Sequence, residues 1–292
     1  MNDPVASIAD DRARGVPGPD AGRGGSLRLF LVLAFGVPWL GWTLLALLKP
    51  DPEGALARVL FFSGNACSLA GLVAAWSSGG RAALGRLLRR CVRLRAPPTW
   101  WLLALLLPVV IQLVALFSWG MAHGAVGELA PAGLAALFSP LALLAFLTGP
   151  LGEELGWRGF LLPRLLERMT PLRASVALGL LWTLWHLPLY YDSIFSDGWM
   201  ALLFTVDLVC TSLLMTAMHQ ASGGSVLLAM VLHWTANVAP GVAAVALPGV
   251  EPGDTPGFHA LGVAGLVLAT LWVLARSGAL RRGARSADIR VT

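Results

Sequence analysis

LRLFLVLAFGVPWLGWTLLALL, residues 27–48, carries a single charged side chain, Arg28. A helix needs about 20 apolar residues to cross the hydrocarbon core of a bilayer, and this run supplies them. It is too long for the apolar part of a secretory signal and lacks a clear small-residue cleavage site, so it reads as a membrane anchor. Further runs of the same kind follow at 55–78, 99–121, 137–157, 174–191, 199–218, 224–247 and 258–276. Eight helical spans are therefore expected. The fifth is short, and residues 150–165 run past the fourth span towards an interface. Composition agrees: 57% of the chain is hydrophobic and 13% charged, with mean hydropathy +0.72. That charged share is about half of what a soluble domain carries, and a disordered chain would be far less apolar. Transmembrane β-strands alternate in polarity over about 10 residues, whereas these runs are continuous. The expected fold is all-α, a polytopic integral membrane protein.

The charges orient it. With the N-terminus inside, nineteen of the 21 Lys and Arg residues fall on one side, and only Lys49 and Arg58 on the other. By the positive-inside rule both termini are cytoplasmic. The net charge of +5 then reflects basic cytoplasmic loops, and no nucleic-acid partner is expected. Residues 1–25 read as a disordered cytoplasmic tail, 26–278 as the membrane-embedded domain and 279–292 as a second, basic tail. The segment 79–98, GGRAALGRLLRRCVRLRAPP, is basic and amphipathic. It suits either an interfacial helix on anionic lipid or a plain cytoplasmic loop. Cys67, Cys91 and Cys210 show no CxxC spacing and are expected to be free thiols. No internal repeat of the kind seen in inverted-repeat transporters is visible.

Ionisable groups inside spans are costly, so each is a functional candidate. In GPLGEELGWRGF, residues 149–160, Glu153 and Glu154 are neighbours. They project about 100° apart on a helix and cannot share a partner. Glu154 and Arg158 lie four apart, acid first, which favours an ion pair. Glu153 is left pointing elsewhere without a local counter-charge, as a general base would be. The plainer alternative is one buried ion network that fixes helix packing. In LLWTLWHLPLYY, residues 180–191, His186 follows Trp182 by one turn, and Pro188 is expected to end or kink the helix. In VLHWTANVAP, residues 231–240, His233 and Asn237 share a helix face. They suit donation to a developing oxyanion, a metal ligand with a helper, or an interhelical hydrogen bond. Three spans, each with a polar cluster in Leu/Ala/Val surroundings, are expected to converge on one cavity with hydrolytic equipment.

Glu-Glu-x-x-x-Arg, an aromatic-x-x-x-His and His-x-x-x-Asn, each on its own span, resemble the intramembrane protease family that contains the type II CAAX prenyl endopeptidases and the bacterial bacteriocin-processing or self-immunity proteins. The resemblance covers roughly residues 138–247. It implies that Glu153 and His186 activate a water, that Glu154 is held by Arg158 in a supporting role, and that His233 and Asn237 stabilise the tetrahedral oxyanion. The second motif of the family usually begins with Phe. Here it begins with Trp182, which keeps an aromatic ring.

The resemblance implies an endopeptidase of the cell membrane. Its expected substrate is a membrane-embedded or lipidated protein or peptide, met in a cavity that opens towards the cytoplasm. No HExxH helix is present, although Glu153, His186 and His233 could form a three-ligand zinc site. The metal-free mechanism is preferred, and no cofactor is certain. Two rivals remain: a non-catalytic immunity or scaffold protein, and an ion- or metal-coupled transporter. The Trp-rich surroundings, Trp157, Trp182, Trp185 and Trp234, would tolerate a lipid chain. Asp207 has no place in the family pattern and is assigned a structural role, pairing with Arg158 or a histidine or facing a small wet pocket.

Overall fold

A computed structural model of the chain describes residues 21–125, 128, 130, 135–253, 255–278 and 280. Most of the two expected tails lies outside the described residues. The first helix, α1, runs Ala21–Leu48 and so begins inside the stretch read as tail. Once an apolar run has nucleated a helix, extending it by a turn costs little.

The remaining helices are α2 (Ala55–Phe61), α3 (Ala66–Cys91), α4 (Pro98–Ala122), α5 (Pro140–Thr148), α6 (Pro150–Glu154), α7 (Leu162–Leu166), α8 (Pro171–Trp185), α9 (Gly198–Ala221), α10 (Val226–Ala246) and α11 (Pro256–Ser277). A π-helical turn, Leu155–Leu161, joins α6 to α7. There is no strand among the described residues. The chain is a multi-pass, all-α membrane protein.

Among the described residues six helical stretches, where about eight were expected, are long and apolar enough to cross a membrane. The expected span 137–157 is broken. Gly149 leaves the helix with φ −101° and ψ −84°, and Pro150 starts a new one. The expected span 174–191 ends at Trp185, with His186 as its C-cap and Pro188 two residues on. At about 1.5 Å per residue α8 is some 22 Å long, short of the roughly 30 Å hydrocarbon core. Broken helices are tolerated at membrane depth where protein surrounds them or a cavity needs them.

Local sequence sets the helix starts. Ser139, Thr170 and Ser225 cap α5, α8 and α10 by accepting the backbone N–H of Ala142, Arg173 and Leu228. Pro140 and Pro171 follow two of these caps, where a missing N–H costs nothing.

Helix α3 lies between α1 and the π-helical turn. Its approach to the turn is a seam of small residues. A Cβ on Gly71 would stand 2.8 Å from Cα of Gly156, and one on Gly156 would stand 2.5 Å from the carbonyl oxygen of Cys67. Small residues let helix backbones meet this closely, which is how membrane helices gain dispersion energy without a hydrophobic drive. The basic segment turns off the end of α3 at Gly79 and Gly80. Gly80 has φ +54°, ψ −147°, which a side chain would strain.

Candidate active site

The break at Gly149 has a visible cause. A Cβ there would lie 2.7 Å from Nδ2 of Asn237 and 3.5 Å from Nε2 of His233. The backbone of the first motif thus presses directly on the side chains of the third. Pro150 restarts the helix, and the π-helical turn follows, a departure from regular winding that recurs at functional sites.

Glu153 and Glu154 diverge as their spacing predicts. Glu154 is fully buried, and its Oε1 accepts two hydrogen bonds, from Nη1 of Arg158 at 2.9 Å and from Nδ1 of His233 at 2.8 Å. A carboxylate can only accept here, so the His233 proton sits on Nδ1 and Nε2 is turned towards Gly149 and Asn237. The sequence reading paired Glu154 with Arg158 alone. The link to His233 is 79 residues distant. Arg158 also stacks its guanidinium 4.4 Å from the ring centroid of Trp182, a cation–π contact.

Glu153 faces the other way. Its Oε2 accepts from Nε1 of Trp182 at 2.6 Å. His186, just past the end of α8, donates from Nδ1 to the carbonyl oxygen of Trp182 at 2.9 Å. Its Nε2 therefore carries a lone pair. The His186 ring is held edge-on by Trp185 at 4.8 Å and stacked by Tyr190 at 5.5 Å. Trp182 touches every part of this arrangement, since its ring also meets His233 edge-on at 5.1 Å.

Glu153, His186, His233 and Asn237 line one cavity of about 310 Å³, walled by Trp42, Gly149 and Tyr190 among others. Glu154 and Arg158 are not in its wall. They stand behind it and orient His233. An apolar groove of about 480 Å³, with Phe62, Leu141 and Val242 in its lining, shares Phe61, Ala145, Thr148 and Asn237 with the cavity.

The cavity lies near the start of α3, remote from Arg86 and Arg90 at its other end. Trp42 is late in α1, and Phe61 and Gly64 precede α3, whereas Arg86 and Arg90 are at its far end. About 20 Å of helix runs from Ala66 to the kink at Gly79, beyond which these arginines lie. Towards the arginines the interior is filled by the fully buried Trp157 and Phe160 and by the Glu154–Arg158 pair.

Among the described residues no three His, Cys, Asp or Glu side chains group as ligands for one metal ion. Glu153, His186 and His233 share a cavity wall, and as their side chains stand they are not gathered around one point.

Asp207 is not at this site; of the three settings expected for it, the small pocket is the one it occupies, and Arg158 pairs with Glu154 instead. Oδ1 of Asp207 accepts from Thr211 at 3.2 Å, and the residue lines a separate cavity of about 100 Å³ with Gln112 and His259. Trp182 as the Glu153 donor, Trp42 as a wall and Gly149 as the close-packed floor were missed by the sequence reading. The available signals were a tryptophan one turn before His186 and a Gly-Pro pair inside an apolar run.

Residues 135–239 match the family described as type II CAAX prenyl endopeptidase Rce1-like. A curated relative, CAAX prenyl protease 2 of Methanococcus maripaludis, is 31% identical over 144 residues, which is 46% of this chain and 52% of that protein. The match thus spans about half of the relative's length. The matched stretch holds every residue of the three polar motifs, and the fold around it is a helical membrane bundle with those motifs at one cavity. Residues 135–239 of this chain are thus similar to the Rce1-like type II CAAX prenyl endopeptidases.

Proposed function

We propose that this protein is an intramembrane endopeptidase that hydrolyses a peptide bond in a membrane-associated or lipidated protein or peptide. The observation that carries this reading is the meeting of Glu153, His186, His233 and Asn237, from three separate segments, at one cavity. In the proposed reaction a water lies between Glu153 and Nε2 of His186. Glu153 takes a proton as the water oxygen attacks the scissile carbonyl, and later delivers it to the leaving amine. Trp182 holds one carboxylate oxygen of Glu153 in place and, through its carbonyl, fixes the His186 tautomer. Asn237 donates from Nδ2 to the oxyanion. His233 donates from Nε2 when its ring carries a second proton, whose charge the Glu154 carboxylate faces. No step passes through a metal.

The apolar groove beside the cavity supports a substrate that carries a lipid chain or an apolar segment. The charge distribution supports cytoplasmic termini. A scaffold protein gives no reason for four polar groups to line open space, and a transporter needs a path past Trp157, Phe160 and Arg158, which fill the interior. The deciding test is Glu153→Gln in purified protein, with a quenched peptide library as substrate. Cleavage is expected to vanish while the thermal unfolding midpoint stays within a few degrees, and chelator is expected to leave the parent activity unchanged. Full activity of Glu153→Gln would overturn the mechanism. Loss of assembly with no parent cleavage would favour the scaffold.

A further inference from the structure

The basic segment after the kink at Gly79–Gly80 has more organisation than a positive-inside loop requires. Arg86 and Arg90 are four apart on one face of α3. Arg164, in α7, and Arg168, just beyond it, have the same spacing. Like charges at this spacing repel along a helix. The two pairs nevertheless face a common cavity of about 290 Å³, with Glu167 as the one acid in its lining.

One of the four is already fixed. Arg164 donates to the carbonyl oxygen of Phe160 at 2.8 Å and to Oγ of Ser78 at 3.2 Å, and its guanidinium lies 3.5 Å from the Phe160 ring centroid. Arg86, Arg90 and Arg168 make no ion pair with a described residue. Leu27, Leu87 and Pro163 add apolar side chains to the lining. A cavity that joins cationic and apolar side chains, at the arginine-rich end of a membrane bundle, suits a phosphate joined to a glycerol and acyl chains.

We propose that this cavity binds the phosphate of an anionic phospholipid headgroup from the adjoining leaflet. The bound lipid bridges α3 to α7 and steadies the π-helical turn, since Gly159 and Phe160 of that turn line the same cavity. This site is independent of the peptidase reading.

The test uses the full chain in dodecyl maltoside micelles. Phosphatidylglycerol, phosphatidylcholine or inorganic phosphate is added, the thermal unfolding midpoint is followed, and retained lipid is weighed by native mass spectrometry. Phosphatidylglycerol is expected to raise the midpoint and to be retained, and phosphatidylcholine to do neither. Arg86→Gln/Arg90→Gln is expected to weaken phosphatidylglycerol by about tenfold or more, the scale of losing one charge-assisted contact. The control Arg81→Gln/Arg89→Gln removes the same charge from the same segment outside the cavity and is expected to leave binding intact. The single change Arg168→Gln, on the opposite wall, is expected to weaken binding too and covers the case in which the double variant fails to fold. Equal weakening by the control pair would reduce the effect to diffuse attraction and overturn the site. Equal stabilisation by inorganic phosphate would assign the cavity to a soluble anion and overturn the lipid.

Discussion

Replacing Gly149 by alanine sets a Cβ 2.7 Å from Nδ2 of Asn237 and 3.5 Å from Nε2 of His233. The second distance is ordinary contact. The first is about 0.8 Å inside the usual optimum of about 3.5 Å, so the amide must retreat or rotate. The backbone itself is not the obstacle, because φ at Gly149 is −101° and alanine accepts it. The damage therefore falls on the orientation of one donor. Misplacing a catalytic group by about 1 Å costs on the order of 100-fold, and deleting an oxyanion donor costs about 10²–10³-fold. Gly149→Ala is expected to lower kcat about 100-fold, with KM little changed and the unfolding midpoint within a few degrees. The assay is steady-state cleavage of a quenched peptide in detergent, run beside Asn237→Ala and the double variant. If the alanine acts by displacing Asn237, the double variant loses no more than Asn237→Ala alone, because the two changes remove one interaction. Wild-type kcat in Gly149→Ala, or fully multiplicative losses in the double variant, would refute this account of the site.

Glu154→Gln leaves Arg158 buried without its counter-charge and is expected to cost about 3–5 kcal/mol of stability, read from denaturant unfolding in micelles. Trp182→Phe keeps a ring for Arg158 and His233 but removes the N–H held by Glu153, a charge-assisted bond worth about 1.5–3 kcal/mol. Activity should fall at least tenfold, and the unfolding free energy by about 1.5–3 kcal/mol. A cysteine placed at Thr148, in the wall shared by cavity and groove, is expected to react with an impermeant thiol reagent from the side opposite the arginine-rich end. The readout is labelling in right-side-out against inverted vesicles.

What could be read from the chain depended on how local the determining interaction is. Residues 27–48 needed only composition and length, and α1 is there. Residues 137–157 have the composition of a span, but a hydropathy window cannot see that Gly149 must leave the helix to meet Asn237, 88 positions later. Pro188 did announce the end of α8, and His186 owes its place to that stop. The divergence of Glu153 from Glu154 follows from helix geometry alone. The capture of His233 by Glu154 does not, because nothing within a turn of either residue encodes it. For Asp207 the sequence offered a small pocket among three settings but could not name its companions, Gln112 and His259, which come from α4 and α11.

The glycine seam between α3 and the first motif has a practical consequence. Cys67 and Gly71 lie upstream of residues 135–239, yet they set how near the backbone of the first motif can sit. The stretch that matches the endopeptidase family is thus packed against helices outside it rather than being a transferable cassette. Grafted onto foreign helices it would carry its reactive groups but not the mould that aligns them. Enlarging Gly71 to valine would be felt as misalignment across the bundle, at a residue that touches no reacting atom.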